Sequence, residues 1–240
     1  MPIEGVGLVG GRARGAVHLV DDPLAWMPGD ASGPQVLALP GLWWPPPEGV
    51  PDAPVAFLLQ GAPGQGGATT LAPVIAGIDL DLLREGERVE VDGRSGSVKV
   101  EGLSEAPVVT VFLERKDGRV LLLKRSGRVG SFRGRWAGVS GFLEDPTPLA
   151  QALREVREET RLEATDLEVV EEGRPVYARD ADRLYIVHPF RVRTRRTRVT
   201  LDWEHTESEW VDPAEIRRRP TVPKLDRAWD HVRPSDGAKG

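Results

Sequence analysis

The sequence predicts a mixed α/β (α+β) chain of two units, a smaller β-rich half followed by a half that combines strands with one long helix. Three observations carry this. Short apolar runs of strand length recur through both halves, separated by Pro/Gly turns. One long amphipathic helical pattern with a well-marked start stands in the second half. Charge also changes sign along the chain. Residues 1–104 hold 6 Lys+Arg against 13 Asp+Glu, net −7, which leaves 26 against 24, net +2, for residues 105–240. The boundary is drawn there, with residues 102–106 as the linker.

The apolar share of 40% and charged share of 29% are those of an ordinary globular chain. No apolar stretch approaches the roughly 20 residues of a membrane helix. The start, Met1-Pro2-Ile3-Glu4-Gly5, lacks the basic and apolar regions of a signal peptide. With no cysteine, disulfides and Cys-ligated metals are excluded. The expectation is a cytoplasmic protein with no membrane partner. The slight basic excess of the second half suits a phosphate-bearing small molecule but is too diffuse for nucleic acid. The acidic half is where a homodimer contact or a protein partner is expected.

In the first half, strands are expected at residues 15–20, 35–39 and 55–59. Residues 41–51, with Trp43-Trp44-Pro45-Pro46-Pro47, cannot be helical, because each proline removes a donor and fixes φ. Residues 61–67 form a glycine-rich loop, and residues 69–76 are read as a short helix. Residues 87–91 and 97–100 alternate around Asp92-Gly93-Arg94-Ser95-Gly96, a hairpin signal. Gly11-Arg12-Ala13-Arg14-Gly15, Gly66-Gly67-Ala68-Thr69-Thr70-Leu71-Ala72 and Val89-Glu90-Val91-Asp92-Gly93 resemble the swivelling β/β/α, phosphohistidine-type domain of phosphoenolpyruvate-utilising enzymes. In that family a histidine carries the phosphoryl group. Leucine stands at that position here, Leu71, so the resemblance implies the scaffold without the transfer. His18, the one histidine of this half, is read as a packed or surface strand residue.

The second half opens with Val108-Val109-Thr110-Val111-Phe112-Leu113, turns at Lys116-Asp117-Gly118 and returns through Val120-Leu121-Leu122-Leu123. Later strands are expected at residues 167–171, 184–193 and 209–211, and a short helix from Pro213. The long helix starts at Thr147, which can cap free N–H groups, and Pro148, which has no N–H to lose. Leu149, Ala152, Leu153 and Val156 give it an apolar face. Glu155, Glu158 and Glu159 stand at i, i+3 and i+4 and share another. Three such carboxylates repel one another unless something neutralises them. A hard divalent cation with oxygen ligands is the natural compensation. Arg154 can pair with a carboxylate and fix its rotamer. A Glu/Arg-rich helix face is otherwise solvated surface, and only the context changes that reading.

That context is Trp136-x-Gly138-x-x-Gly141-Phe142-Leu143-Glu144 ahead of Arg154-Glu155-Val156-Arg157-Glu158-Glu159, with Leu162 after it. Over residues 106 to about 233 the chain resembles a Nudix domain, whose box reads Gly, five residues, Glu, seven residues, Arg-Glu, apolar, any, Glu-Glu, any, Gly, apolar. The box here is one residue short, since Gly141 lies thirteen residues before Arg154 and not fourteen. Its first glutamate is missing; Pro146 or Thr147 falls there, with Glu144 and Asp145 the nearest acids. Arg161 replaces the closing glycine, where a helix usually exits through positive φ. Ser126-Gly127-Arg128-Val129-Gly130-Ser131, Val187-His188-Pro189-Phe190 and Thr221-Val222-Pro223-Lys224-Leu225 further resemble the Nudix module of archaeal proteins fused to an initiation-factor-2B-like domain.

The resemblance implies a Nudix α/β/α sandwich after the smaller swivelling β/β/α domain, and the activity of a Nudix hydrolase. Mg²⁺ (or Mn²⁺) would be held by Glu155, Glu158 and Glu159, with Glu158 as ligand or base, while water attacks a diphosphate linkage in a nucleoside-diphosphate-linked or related substrate. Arg154 and, from an acidic loop and strand, Glu207 join the catalytic set, with Glu204 ranked lower. Arg128, Arg133 and Arg135 are expected to contact phosphate from their glycine-rich loop. The arginines at 191, 193, 195, 196 and 198 are read as the exposed face of a strand. The alternative is a catalytically inactive Nudix-fold sensor that binds a nucleotide or phosphorylated metabolite.

Overall fold

Alternating and continuous apolar runs become strands throughout the chain, and the computed structural model describes residues 3–21, 33–40, 54–61 and 72–235. The chain divides into two units, Met1–Ser104 and Glu105–Gly240. In the first, the described strands are β1 (Ile3–Glu4), β2 (Val6–Val9), β3 (Arg12–Leu19), β4 (Gln35–Leu39), β5 (Ala56–Leu59), β6 (Val74–Ala76), β7 (Arg88–Asp92) and β8 (Ser97–Val100). They form one sheet in the order β1-β8-β7-β3-β4-β5-β6-β2. Strands β3 to β6 are parallel neighbours, and the others join antiparallel.

Every residue of β5 and β6 is buried, as expected of parallel strands covered on both faces. Only Gly5 separates β1 from β2, the two ends of that order, so the sheet closes on itself. The closure runs over the β7–β8 turn: Gly5 N–H donates to Gly96 O at 2.8 Å. A Cβ on Gly7 or Gly93 would collide with a backbone oxygen of Gly93 or Val9, so the two glycines permit the approach.

The strands at 15–20, 35–39 and 55–59 and the hairpin at 87–100 form as expected. The short helix read at 69–76 does not: residues 74–76 are β6, and 69–71 lie outside the described residues. A short, wholly apolar strand has no alternation to distinguish it from a turn of helix. The proline-rich stretch at 41–51, most of the glycine-rich loop at 61–67 and Leu71 also lie outside them.

The second unit contains β9 (Ser104–Glu114), β10 (Val120–Arg125), β11 (Trp136–Ala137), β12 (Val139–Phe142), α1 (Pro148–Thr160), β13 (Leu167–Glu172), β14 (Val176–Asp180), β15 (Arg183–Thr194), β16 (His205–Val211) and α2 (Leu225–Asp230). A six-residue 3-10 segment, Pro213–Arg218, stands where a short helix is expected. The linker expected at 102–106 is shorter than that, because β9 already begins at Ser104. The sheet path is β11-β10-β9-β15-β13, with β12 on β9, β14 on β15 and β16 on β10.

Alternation along the central strands sends side chains to two cores. Val109, Val111, Leu113, Leu121 and Leu123 pack with Ala152 and Val156 of α1. Phe112, Val120 and Leu122 pack with Leu225, Ala228 and Trp229 of α2. Fully burying each such side chain contributes roughly 1.5–3 kcal/mol. The result is an α/β/α sandwich.

One arginine departs from expectation. Arg191 is not on an exposed face: its side chain is buried beside α2, with Nη1 3.1 Å from Glu114 Oε2 and Nε donating to Val232 O at 2.7 Å. Arg193, by contrast, is half exposed beside Glu168.

Candidate active site

Helix α1 begins as its sequence requires. Thr147 Oγ1 accepts from Ala150 N–H at 3.2 Å, and Pro148 occupies the first turn. Burying Ala152 and Val156 fixes the rotation of the helix, and the three glutamates then take unequal places. Glu158 is exposed, Glu155 half-buried and Glu159 only 3% exposed.

Strand β12 runs beside them. Ser140 N–H donates to Glu159 Oε1 at 3.2 Å. Gly141 leaves the space that the Glu155 carboxylate fills; a Cβ there would collide with it. The shortened lead-in loop is tied down by Arg154, whose guanidinium lies 3.0 Å from Glu144 and 3.1 Å from Asp145. Arg154 therefore engages the two acids nearest the missing box glutamate.

Behind Glu159 lies a buried imidazole. His205 Nδ1 is 3.0 Å from Asp202 Oδ1, and its Nε2 is 3.7 Å from Glu159 Oε2. Burial lowers the His205 pKa against the opposing pull of Asp202, so the ring is held toward its neutral form. Glu159 Oε2 is buried without a hydrogen-bond partner. Burial pushes the Glu159 carboxyl well up, assisted by Glu155, Asp202 and Glu204 and opposed by the Ser140 N–H. Glu155 is raised as well, first by burial and then by Glu158 and Glu204, while Gln151 and Arg154 pull it down.

Beside this cluster is a cavity of about 570 Å³. Glu155, Glu158, Glu204, Glu144 and Arg154 line it together with the apolar Phe132, Tyr185, Val108, Ala178 and Val187. Phe132 and Tyr185 lie 5.6 Å apart, tilted by 55°. Phe132 has φ 51, a conformation that costs a non-glycine residue about 1 kcal/mol or more. Arg125 and Arg183 also reach the cavity, with Phe142 and Trp203.

The structure thus brings Arg154, Glu155 and Glu158 to one cavity, with Glu159 buried beneath. Glu207 is not among the lining residues. Its carboxylate pairs with Lys124 at 2.7 Å, directly across the β10–β16 ladder. A bulge between Lys124 and Arg125 shifts the register, so His205 turns toward α1 while Glu207 stays on the other face. Glu204, just before the strand, is the acid that reaches the cavity. Arg128, Arg133 and Arg135 are exposed and also off the cavity lining; Arg133 Nε donates to Val129 O at 2.8 Å. Their loop turns inward at Val129 to Phe132 instead. Gln151, His205, Asp202 and Glu204 are the members that sequence reasoning missed or ranked low. Gln151 had one signal, its i, i+4 spacing from Glu155.

Among the described residues, no three His, Asp or Glu side chains are already arranged to hold a metal ion. The donor chemistry nevertheless fits a hard divalent cation. The candidates are all carboxylate oxygens, their charges are crowded and desolvated, and one buried oxygen of Glu159 lacks any partner.

The NUDIX domain model matches residues 105–231, more than half of the chain. The chain belongs to the NUDIX domain family. Solved structures similar to it include a MutT protein from Methanosarcina mazei Go1, with 22% identity over 53% of this chain and 92% of that one and a TM-score of 0.48. An Ap4A hydrolase from C. elegans is 18% identical over 52% and 93%, with a TM-score of 0.46. The NUDIX domain of Shewanella oneidensis NrtR, solved with ADP ribose, is 17% identical over 55% and 86%, with a TM-score of 0.43. No curated protein matches the chain in sequence. Among the described residues, no helix is long and apolar enough to cross a membrane.

Proposed function

We propose that the second unit is a divalent-cation-dependent hydrolase that cleaves a diphosphate linkage in a nucleoside-diphosphate-type substrate. The observation that carries this is the cavity itself, lined both by Glu155, Glu158 and Glu204 and by the Phe132–Tyr185 pair. Glu155, Glu158 and Glu159 would hold Mg²⁺ or Mn²⁺, which when bound neutralises phosphate charge and lowers the pKa of water. Glu158 or Glu204 accepts the proton of the attacking water; Glu204 takes the part first given to Glu207. Arg125 and Arg183 contact phosphate in place of Arg128, Arg133 and Arg135. Phe132 and Tyr185 offer a planar group an apolar surface. Arg154 holds the lead-in loop against the helix and sets the position of Glu155.

The test incubates the protein with Mg²⁺ or Mn²⁺ and a panel of nucleoside diphosphate derivatives, beside Glu158→Gln and Glu159→Gln. Metal-dependent cleavage that falls by about 10²–10³-fold or more in both variants is expected. A second reading, a ligand-binding sensor without turnover, is favoured by one observation, the lack of a ready-made cation cluster among the described residues. Tight binding of a panel member with no product under any metal would establish it.

For the first unit the reading is a swivelling-type scaffold that has lost phosphotransfer. The mixed sheet with parallel β3 to β6 supports the scaffold, and leucine at position 71 supports the loss. His18 is engaged with Glu85 at 2.7 Å on the surface. No labelled phosphate should transfer to this unit from phosphoenolpyruvate or ATP.

A further inference from the structure

We infer that Gln151 is the positioning residue that sets the Glu155 carboxylate for its cation, an inference that rests on the metal-dependent reading above. The box is one residue short and lacks its first glutamate, and Gln151 is the side chain that closes the gap. It is fully buried, at 0% exposure, on the first half of α1. Its Oε1 accepts from the N–H groups of Glu144 and Asp145, both at 2.9 Å, and from Arg154 Nη2 at 2.8 Å. All three are donors, so the amide cannot be turned around. Nε2 must then face Glu155, and it donates to Oε1 at 2.5 Å.

A single amide therefore joins the shortened loop, the box arginine and the first helix glutamate. Gly141 confines Glu155 from the other side. Held between them, the carboxylate has its rotamer fixed before any cation arrives, so less side-chain entropy is lost on binding. An acid at position 151 would put a fourth negative charge among Glu155, Glu158 and Glu159, whereas the amide supplies a donor and no charge. Glu155 makes no other hydrogen bond among the described residues, so its second oxygen is available.

Gln151→Glu and Gln151→Met separate positioning from simple anchoring of the loop. In Gln151→Glu the carboxylate still accepts from Glu144, Asp145 and Arg154 but cannot donate to Glu155 and repels it. Melting temperature without metal should fall by less than in Gln151→Met, because the three bonds to Glu144, Asp145 and Arg154 remain, while Mn²⁺ affinity measured by calorimetry falls roughly 10–100-fold. Gln151→Met keeps the volume and loses every bond, so both quantities should fall. Wild-type Mn²⁺ affinity in Gln151→Glu would overturn the inference and leave Gln151 a loop anchor. If the wild-type protein binds no Mn²⁺, the metal reading fails instead. Crystals of Gln151→Glu then decide the positioning role: Glu155 displaced from Gly141 supports it, and Glu155 unmoved refutes it.

Discussion

Two buried glutamates on opposite faces of the second unit's sheet have been treated in opposite ways. Glu114, on the α2 side, is 7% exposed and meets Arg191 at 3.1 Å and Arg193 at 3.6 Å. Glu159, on the α1 side, is 3% exposed and has one backbone donor; its other oxygen has no hydrogen bond and only the His205 imidazole at 3.7 Å, whose pKa burial lowers. The first charge is compensated within the chain; the second is left for something from outside. The same scaffold thus carries an internally complete face and an incomplete one, and the incomplete one opens toward the cavity.

The largest expected effect breaks the complete face. Arg191→Leu would leave buried Glu114 with only Arg193, at 3.6 Å, and take away the donor to Val232 O. Removing one partner of a buried pair costs about 3–5 kcal/mol, read as a lower midpoint in urea unfolding. Its Mn²⁺ affinity, measured where the variant is still folded, should be unchanged. A comparable loss from Glu159→Gln would erase the contrast, because that change should not destabilise the metal-free protein.

The next effect tests the incomplete face. Mn²⁺ at 100 times its dissociation constant should stabilise the wild-type protein by about 2.7 kcal/mol, because it binds only the folded state. Glu159→Gln should abolish most of that gain. Without metal the same variant should be the more stable by roughly 1 kcal/mol at neutral pH, since it removes a desolvated charge. A metal-free loss would mean that Glu159 is already compensated.

The pH dependence should separate Glu159 from His205. The folded carboxyls of Glu159 and Glu155 titrate above their unfolded values. Their contribution is therefore fully present below the unfolded value, near 4.5, and is lost as pH rises through the folded value. His205 runs the other way. Its folded pKa lies below 6.5, so stability is lost as pH falls from there through the folded value. In the wild-type protein, with chelator present, the two slopes oppose each other. Burial lowers the His188 pKa in the same sense, so the double variant His188→Asn/His205→Asn should leave the raised carboxylates to set the slope, and unfolding free energy measured from pH 8 down to 5 should rise on acidification. A fall in that variant would show that the glutamates are not held against ionisation.

Much of this contrast was legible in the sequence, and what was not has identifiable physical causes. Thr147, Pro148 and the glutamates at helical spacing located α1, its start and its metal-binding candidates, because capping and periodicity are local. Glu207 was preferred to Glu204 because a loop glutamate is commonly just solvated, and the bulge beside Lys124, which leaves Glu207 on the face away from His205, makes no local mark in the sequence. Arg191 sits among five arginines that read as one solvated face. Only the position of Glu114, 77 residues away in sequence, makes it the buried member. Gln151 was not singled out, since its three donors, two N–H groups of the shortened loop and the Arg154 guanidinium, come together only when that loop folds back on α1. Strand β14 follows a proline and is only five residues long, too short to announce itself. In each case the deciding contact is long-range or depends on register.

The smallest expected effect concerns the end of α1, where the box has arginine in place of glycine. Arg161 keeps the left-handed exit, with φ 61 and ψ 21, and its N–H still donates to Arg157 O at 3.0 Å. The backbone thus follows the geometry a glycine would adopt and carries the steric penalty of a Cβ. Arg161 is exposed, so shortening it uncovers no core. Arg161→Gly should relieve up to about 1 kcal/mol of left-handed strain, partly offset by the greater freedom of glycine in the unfolded chain. A gain of roughly half a kcal/mol in urea unfolding is expected, with Mn²⁺ affinity unchanged. Glu159 lies only two residues upstream, yet Ser140 and the α1 core fix its position independently of how the helix ends. If Arg161→Gly shifted Mn²⁺ affinity, the exit would have to be counted among the devices that hold the uncompensated carboxylate in place, and the incomplete face would extend to the end of the helix.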